Sequence, residues 1–294
     1  MRQLVFIHGR AQEFKDASAL KAEWIGAWEK GLAKSGLTLP LPESEIRFPY
    51  YGQTLHDLVE GVPADEMARV IVRGDDSSVE QEAFCQELLR EVCTRFGISD
   101  SQLRELTDDD TIEKGVLNWK WVQTVLKGID TYVPGGSSGS VALFTNDVYE
   151  YLDNAGFAGI IDQGVRSAFD PALETVVVSH SLGTVVAQNV LNQYGTSDGW
   201  KIPLHVTVGS PLAVTVIKQR LAPIKHPACV GEWFNARDPN DVVALYPLDA
   251  GHYPVTPSIE NKSDVDNHTD NQHGIVGYLD DAVVARRIHD ALGA

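Results

Sequence analysis

The sequence predicts an α/β fold, a mostly parallel central sheet flanked by helices, forming a single domain over residues 1–294 with a helical insertion at 53–145. Three observations lead there. In Thr175–Ala187 a β-branched run (Thr175-Val176-Val177-Val178) ends abruptly in Ser179-His180-Ser181-Leu182-Gly183. A helix-compatible apolar pattern then starts at Val185, so the segment reads strand, sharp turn, helix. Other short apolar runs (Gln3–Ile7, Glu45–Tyr51, Leu204–Val208, Glu232–Arg237) are separated by helix-length stretches, the rhythm of strands joined by crossovers. A chain of 294 residues with 43% hydrophobic content is long enough to bury one large core.

Taken in order, the first strand ends in His8-Gly9-Arg10, where a His-Gly pair lets the backbone turn tightly at the sheet edge. Ala17–Lys34 reads as a helix with Leu20, Trp24, Trp28 and Leu32 on one stripe, stopped by Gly36. The second strand ends in aromatics, and Tyr51 is a candidate wall of a substrate cleft. One crossover helix would join Gly52 to Thr175, but about 120 residues lie between them. The surplus is expected to form a helical cap, with helices at Glu80–Phe96 and Val116–Lys127. Loops at 74–78, 107–111 and 134–140 punctuate it, the last flexible enough to act as a hinge. Asp147–Asn154 and Gly156–Phe169 read as helices leading back to the sheet. The helix after Ser181 ends near Gly195; the next strand runs into Gly209-Ser210-Pro211-Leu212, and the one after it delivers Asp238-Pro239-Asn240-Asp241. A last helix begins near Ile275 and runs through Ile288, preceded by a loop that holds His268 and His273. Asp264, Asp266, His268 and Asp270 alternate there, but without the glycine and glutamate of an EF-hand loop they read as a solvated acidic segment.

Composition narrows the classes of function. A formal charge of −17 opposes binding to nucleic acid or to an anionic membrane surface. Three sparse cysteines read as buried hydrophobes in a reducing, cytoplasmic setting, not as a disulfide framework. No apolar run approaches the roughly 20 residues that span a bilayer, so stable membrane insertion is not expected. Leu4–Ile7 is too short for the apolar region of a signal peptide. Nothing in the sequence decides the oligomeric state.

Ser179-His180-Ser181-Leu182-Gly183 is similar to the Gly-x-Ser-x-Gly nucleophile elbow of lipase- and esterase-like α/β-hydrolases, with Ser179 in place of the first glycine. His8-Gly9 after the first strand, Gly209-Ser210-Pro211-Leu212 after the elbow helix, and the chain order Ser, Asp, His add to the resemblance. It covers about residues 1–52 and 145–294; the insertion resembles no family. It implies an α/β-hydrolase fold and a serine hydrolase, most simply a carboxylic ester hydrolase, acting on a small-molecule or lipid ester without metal or organic cofactor. Ser181 would be the nucleophile, His273 the base and Asp241 the acid. Asp238 and His268 stand as alternatives, and His252 and His289 are set aside. The backbone N–H groups of Arg10 and Leu182 would form the oxyanion hole, with His8 bracing its loop. Ser210 is no rival nucleophile, because Leu212 fills the position two residues on. Thioesterase, peptidase and acyltransferase use the same triad, and a binding or signalling module that kept the fold is a second class.

Overall fold

The structure, a computed structural model, describes residues 2–9, 16–51, 79–107 and 119–293. Its centre is a six-stranded, all-parallel sheet. The strands are β1 (Arg2–Ile7), β2 (Ile46–Arg47), β3 (Glu174–His180), β4 (Ile202–Val208), β5 (Val230–Ala236) and β6 (Glu260–Lys262), in the order β2-β1-β3-β4-β5-β6. After β2 the chain crosses back over β1 to lay β3 on its other side. The strand order therefore reverses between β1 and β3, the place where open parallel sheets leave a crevice at their carboxyl ends.

Parallel strands buried on both faces split their side chains by parity. Leu4, Phe6, Val176, Val178, Leu204 and Val206 face one layer, made of α1 (Ala17–Ala33), α9 (Ile275–Leu279) and α10 (Ala282–Gly293). The predicted stripe of α1 is there: Leu20, Trp24, Trp28 and Leu32 are buried, and Trp28 Nε1 donates to the Ala285 carbonyl at 3.0 Å. Val5, Ile7, Val177 and Trp233 face the opposite layer, which contains α2 (Val79–Phe96), α4 (Trp119–Tyr132), α5 (Ser138–Asp153), α6 (Ala155–Arg166) and α7 (Leu182–Tyr194). Two short helices, α3 (Asp100–Glu105) and α8 (Thr215–Arg220), and a 3-10 turn at Glu43–Glu45 complete the described elements.

Several boundaries differ from expectation. The strand at Glu45–Tyr51 shrinks to Ile46–Arg47, because Pro49 has no N–H for the ladder. The segment expected as a 134–140 hinge is shorter: α5 starts at Ser138, capped by Ser137, whose hydroxyl accepts the Ser140 N–H at 3.3 Å. The last helix is two, because the Asp281 carboxylate accepts the Val283 and Val284 N–H groups at 2.8 and 3.0 Å and starts a new helix. The helices α2 and α4, in the segment expected as an insertion, share one core with the sheet through Leu88, Leu89, Val92, Val122, Val125 and Ile129. Segments 53–78 and 108–118 of the insertion lie outside the described residues. The three cysteines are free, and burial pushes the thiols of Cys85 and Cys93 up to about 12 and that of Cys229 to about 11. No helix among the described residues is long and apolar enough to cross a membrane.

The joint between β3 and α7 depends on Gly183. A Cβ there would collide with the carbonyl oxygens of Ile7 and His8 at the end of β1. Backbone cannot yield as a side chain can, so Gly183→Ala is expected to cost about 1–3 kcal/mol, read as a lower urea midpoint at unchanged m-value.

Candidate active site

Ser181 sits in the turn between β3 and α7 at φ 56°, ψ −130°, a conformation a non-glycine residue holds only under tertiary constraint. The constraint is visible. Its N–H donates to the Val208 carbonyl at 3.2 Å, while its own carbonyl accepts from Thr184 N–H at 2.9 Å and from the Thr184 hydroxyl at 2.8 Å. The turn presents Oγ at the carboxyl edge of the sheet, beside the first residue of α7. That residue, Leu182, has no carbonyl one turn earlier to receive its N–H, and the helix dipole favours negative charge there. The loop after β1 closes on the same point: a Cβ on Gly9 would lie 2.7 Å from Ser181 Cβ. Arg10, the other expected N–H donor, lies outside the described residues.

Ser181 Oγ is 2.8 Å from His273 Nε2, and His273 Nδ1 is 2.7 Å from Asp241 Oδ2. A carboxylate only accepts, so Nδ1 carries the proton and Nε2 offers a lone pair to the serine hydroxyl. Asp241 is fully buried, and its Oδ1 accepts the N–H groups of Val243 and Ala244 at 2.8 and 3.3 Å. Burial alone would raise its pKa; His273 and the hydrogen bonds from His273, Tyr278 and Val243 outweigh this and hold the carboxylate below its usual range.

The alternatives to these residues are occupied elsewhere. Asp238 accepts the N–H groups of Asn240 and Asn267, both at 2.7 Å, and so anchors the loop that carries His273. His268 Nε2 pairs with Asp280 at 2.7 Å, His252 with Asp249 at 2.8 Å and His289 with Asp290 at 3.0 Å. The Ser210 hydroxyl is 2.9 Å from Thr184 Oγ1 and accepts the Leu212 N–H. Asp264 pairs with Lys262, and among the described residues no three His, Cys, Asp or Glu side chains are grouped to hold a metal.

Tyr51 has a different place from the expected cleft wall. Its hydroxyl donates to the His8 carbonyl and its ring stacks on the His8 imidazole at 3.9 Å, which spends its polar end inside the loop after β1. His8 Nδ1 donates to the Gly9 carbonyl at 2.7 Å and Nε2 accepts the Tyr51 N–H at 3.1 Å, so this pair braces the turn. A cavity of about 290 Å³ opens over Ser181 and His273 instead, walled by Leu20, Leu143, Phe144, Val243, Ile275 and Val276 with Glu23 as its charged residue.

Two residues of the site carried no signal in the sequence on their own. Tyr278, five positions after His273, donates its hydroxyl to Asp241 Oδ2 at 2.6 Å. His180, next to Ser181, donates Nε2–H to the His273 carbonyl at 2.8 Å, with the two rings 4.7 Å apart. Comparison with protein-family models, with curated proteins and with solved structures finds no match to this chain.

Burial holds three histidines neutral: the pKa of His8 falls to about 4 and those of His180 and His205 to about 3. In the unfolded chain each takes up a proton near pH 6.5, so the unfolded state binds more protons as pH drops. Stability is therefore complete above about pH 6.5 and is lost toward pH 3–4, at up to ~1.4 kcal/mol per pH unit for each histidine. Urea unfolding at pH 7 and pH 5 is expected to show a steep loss; equal stabilities would mean that these side chains are charged in the fold.

Proposed function

We propose that the protein is a serine hydrolase of carboxylic esters, with an α/β-hydrolase architecture in which the 53–145 insertion serves as a cap. The observation that carries this reading is the chain of hydrogen bonds from Ser181 Oγ through His273 to Asp241, at 2.8 and 2.7 Å. It supports nucleophilic catalysis because a serine hydroxyl is a weak nucleophile until an oriented base takes its proton.

In this mechanism Ser181 Oγ attacks the ester carbonyl carbon as its proton passes to His273 Nε2. The carbonyl π pair moves onto oxygen, and the N–H groups of Leu182 and Arg10 hold the oxyanion. The imidazolium, stabilised by the buried Asp241 carboxylate, protonates the departing alkoxide, and the C–O bond breaks to leave an acyl-enzyme on Ser181. Water then gives a proton to His273 and attacks the acyl carbon, releasing the carboxylic acid and restoring the serine. The mostly apolar walls of the cavity favour a substrate with a hydrocarbon acyl or alkyl chain.

Labelling by a fluorophosphonate probe and turnover of p-nitrophenyl esters test the proposal. Wild type is expected to label, Ser181→Ala to resist labelling and to lose a factor on the order of 10⁴ to 10⁶ in kcat. Retained turnover in Ser181→Ala would sink the mechanism. Asp241→Asn is expected to cost on the order of 10⁴ in kcat, whereas Asp238→Asn, which touches only the loop, costs far less; the reverse ranking moves the acid to Asp238.

Because α2 and α4 belong to the core, the cap is tested at its wall and not by excision. Leu143→Trp narrows the cavity and is expected to move the optimum of kcat/KM to shorter acyl chains. An unchanged ranking across a graded ester series would remove α5 from the substrate path.

A further inference from the structure

We propose that Tyr278 is a positioning residue of the Ser181 site: its hydroxyl shares Asp241 Oδ2 with His273 and so sets how strongly His273 holds a proton. The inference rests on the hydrolase reading for its catalytic consequence, though not for the coupling itself.

The direction of the hydroxyl follows from its partners. The Asp238 N–H points at Tyr278 Oη at 3.2 Å, and an amide N–H only donates, so the phenolic oxygen accepts there. Its own proton is left for Asp241 Oδ2, 2.6 Å away. The phenol is a permanent donor, because burial and the adjacent Asp241 hold its pKa well above the usual value. Asp241 cannot turn away from the shared contact: Oδ1 is tied to the Val243 and Ala244 N–H groups. One oxygen thus serves two donors, and whatever electron density the phenol draws is withdrawn from the bond to His273 Nδ1, 2.7 Å away. Tyr278 and Asp241 are both fully buried, so the exchange is not levelled by solvent.

Other titratable and charged groups face this cluster. Ser181 and His180 approach from the end of β3, Arg237 and Asp238 from the end of β5, and Glu23 of α1 lines the cavity across from His273. Removing the phenolic oxygen takes the acceptor from the Asp238 backbone N–H and leaves the side chains of these groups unchanged. Tyr278→Phe keeps the buried ring, so a difference from wild type isolates the hydroxyl.

Without the hydroxyl, Asp241 Oδ2 gives its full strength to His273, and the imidazolium is favoured. The acidic limb of kcat/KM against pH is expected to move upward by roughly 0.5–1 pH unit in Tyr278→Phe. Incorporating 3-fluorotyrosine at 278, a stronger donor of nearly the same shape, is expected to move it downward. The same shifts are expected in the titration midpoint of the His273 imidazole signals, followed by NMR in a Ser181→Ala background where no turnover is needed. A Tyr278→Phe protein whose activity falls by one factor at every pH, with an unmoved His273 midpoint, would overturn the proposal and leave Tyr278 a packing residue. If Tyr278→Phe does not fold, the fluorotyrosine protein decides alone, and an unmoved midpoint there overturns the proposal equally. Failure of Ser181 to label, or turnover by Ser181→Ala, would remove the hydrolase reading while the NMR titration still judges the coupling.

Discussion

Ser181 reaches the carboxyl edge of the sheet because α7 starts hard against the end of β1, where Gly183 faces the Ile7 and His8 carbonyls with no side chain between them. Once the helix is that close, the chain leaving β3 has a single residue in which to turn. Ser181 absorbs the whole change of direction in its left-handed φ of 56°. The reversal of strand order between β1 and β3 brings the His8–Gly9 loop to the same spot. The serine's hydrogen bonds to Val208 and Thr184 are the tertiary restraint that keeps the strained turn populated.

A second constraint is electrostatic. A buried carboxylate is stable only when its lone pairs are met, and Asp241 receives donors from Val243, Ala244, His273 and Tyr278. Arg237, the residue after β5, is buried, and its Nη1 donates to the carbonyls of Ala244 and Leu245 at 2.8 and 3.1 Å. One short segment, 237–245, thus supplies the buried carboxylate, a cation close to it in sequence and the backbone N–H groups that orient it. In a chain of formal charge −17, this local order gives one carboxylate out of many a fixed environment.

The sheet was legible wherever its strands are β-branched or apolar, as in β1, β3 and β4. The three residues Glu260–Lys262 join it through the ladder to β5 and are polar, so no pattern marks them. The helix α5 begins inside Ser138-Gly139-Ser140, a loop composition that packing of Val141, Ala142 and Phe144 overrides. Ser181, Asp241 and His273 were readable because each stands at the end of an element with turn chemistry around it. Tyr278 and His180 were not: their partners lie 37 and 93 residues away in sequence, and an aromatic in an apolar helix or a histidine beside a serine has no distinguishing local context. Tyr51 also follows a strand, and its ring and hydroxyl are taken up by His8, away from the cavity over Ser181.

The layer that covers one face of the sheet bears on how the chain is made. That layer closes with Ile275, Tyr278, Leu279, Val284, Ala285 and Ile288, which lie over strands from both halves of the sequence. Arg2, in the first strand, reaches the Ala291 carbonyl at 2.6 Å. During synthesis, which runs from the amino end, the strands are complete by residue 262 while residues 275–288, which share this face with α1, are still to come. Until residues 275–288 follow, this face of the sheet is covered by α1 alone and part of its apolar surface stays exposed. The same delay withholds His273 from Ser181, so a chain cut short before residue 273 has its serine turn but no partner for the hydroxyl.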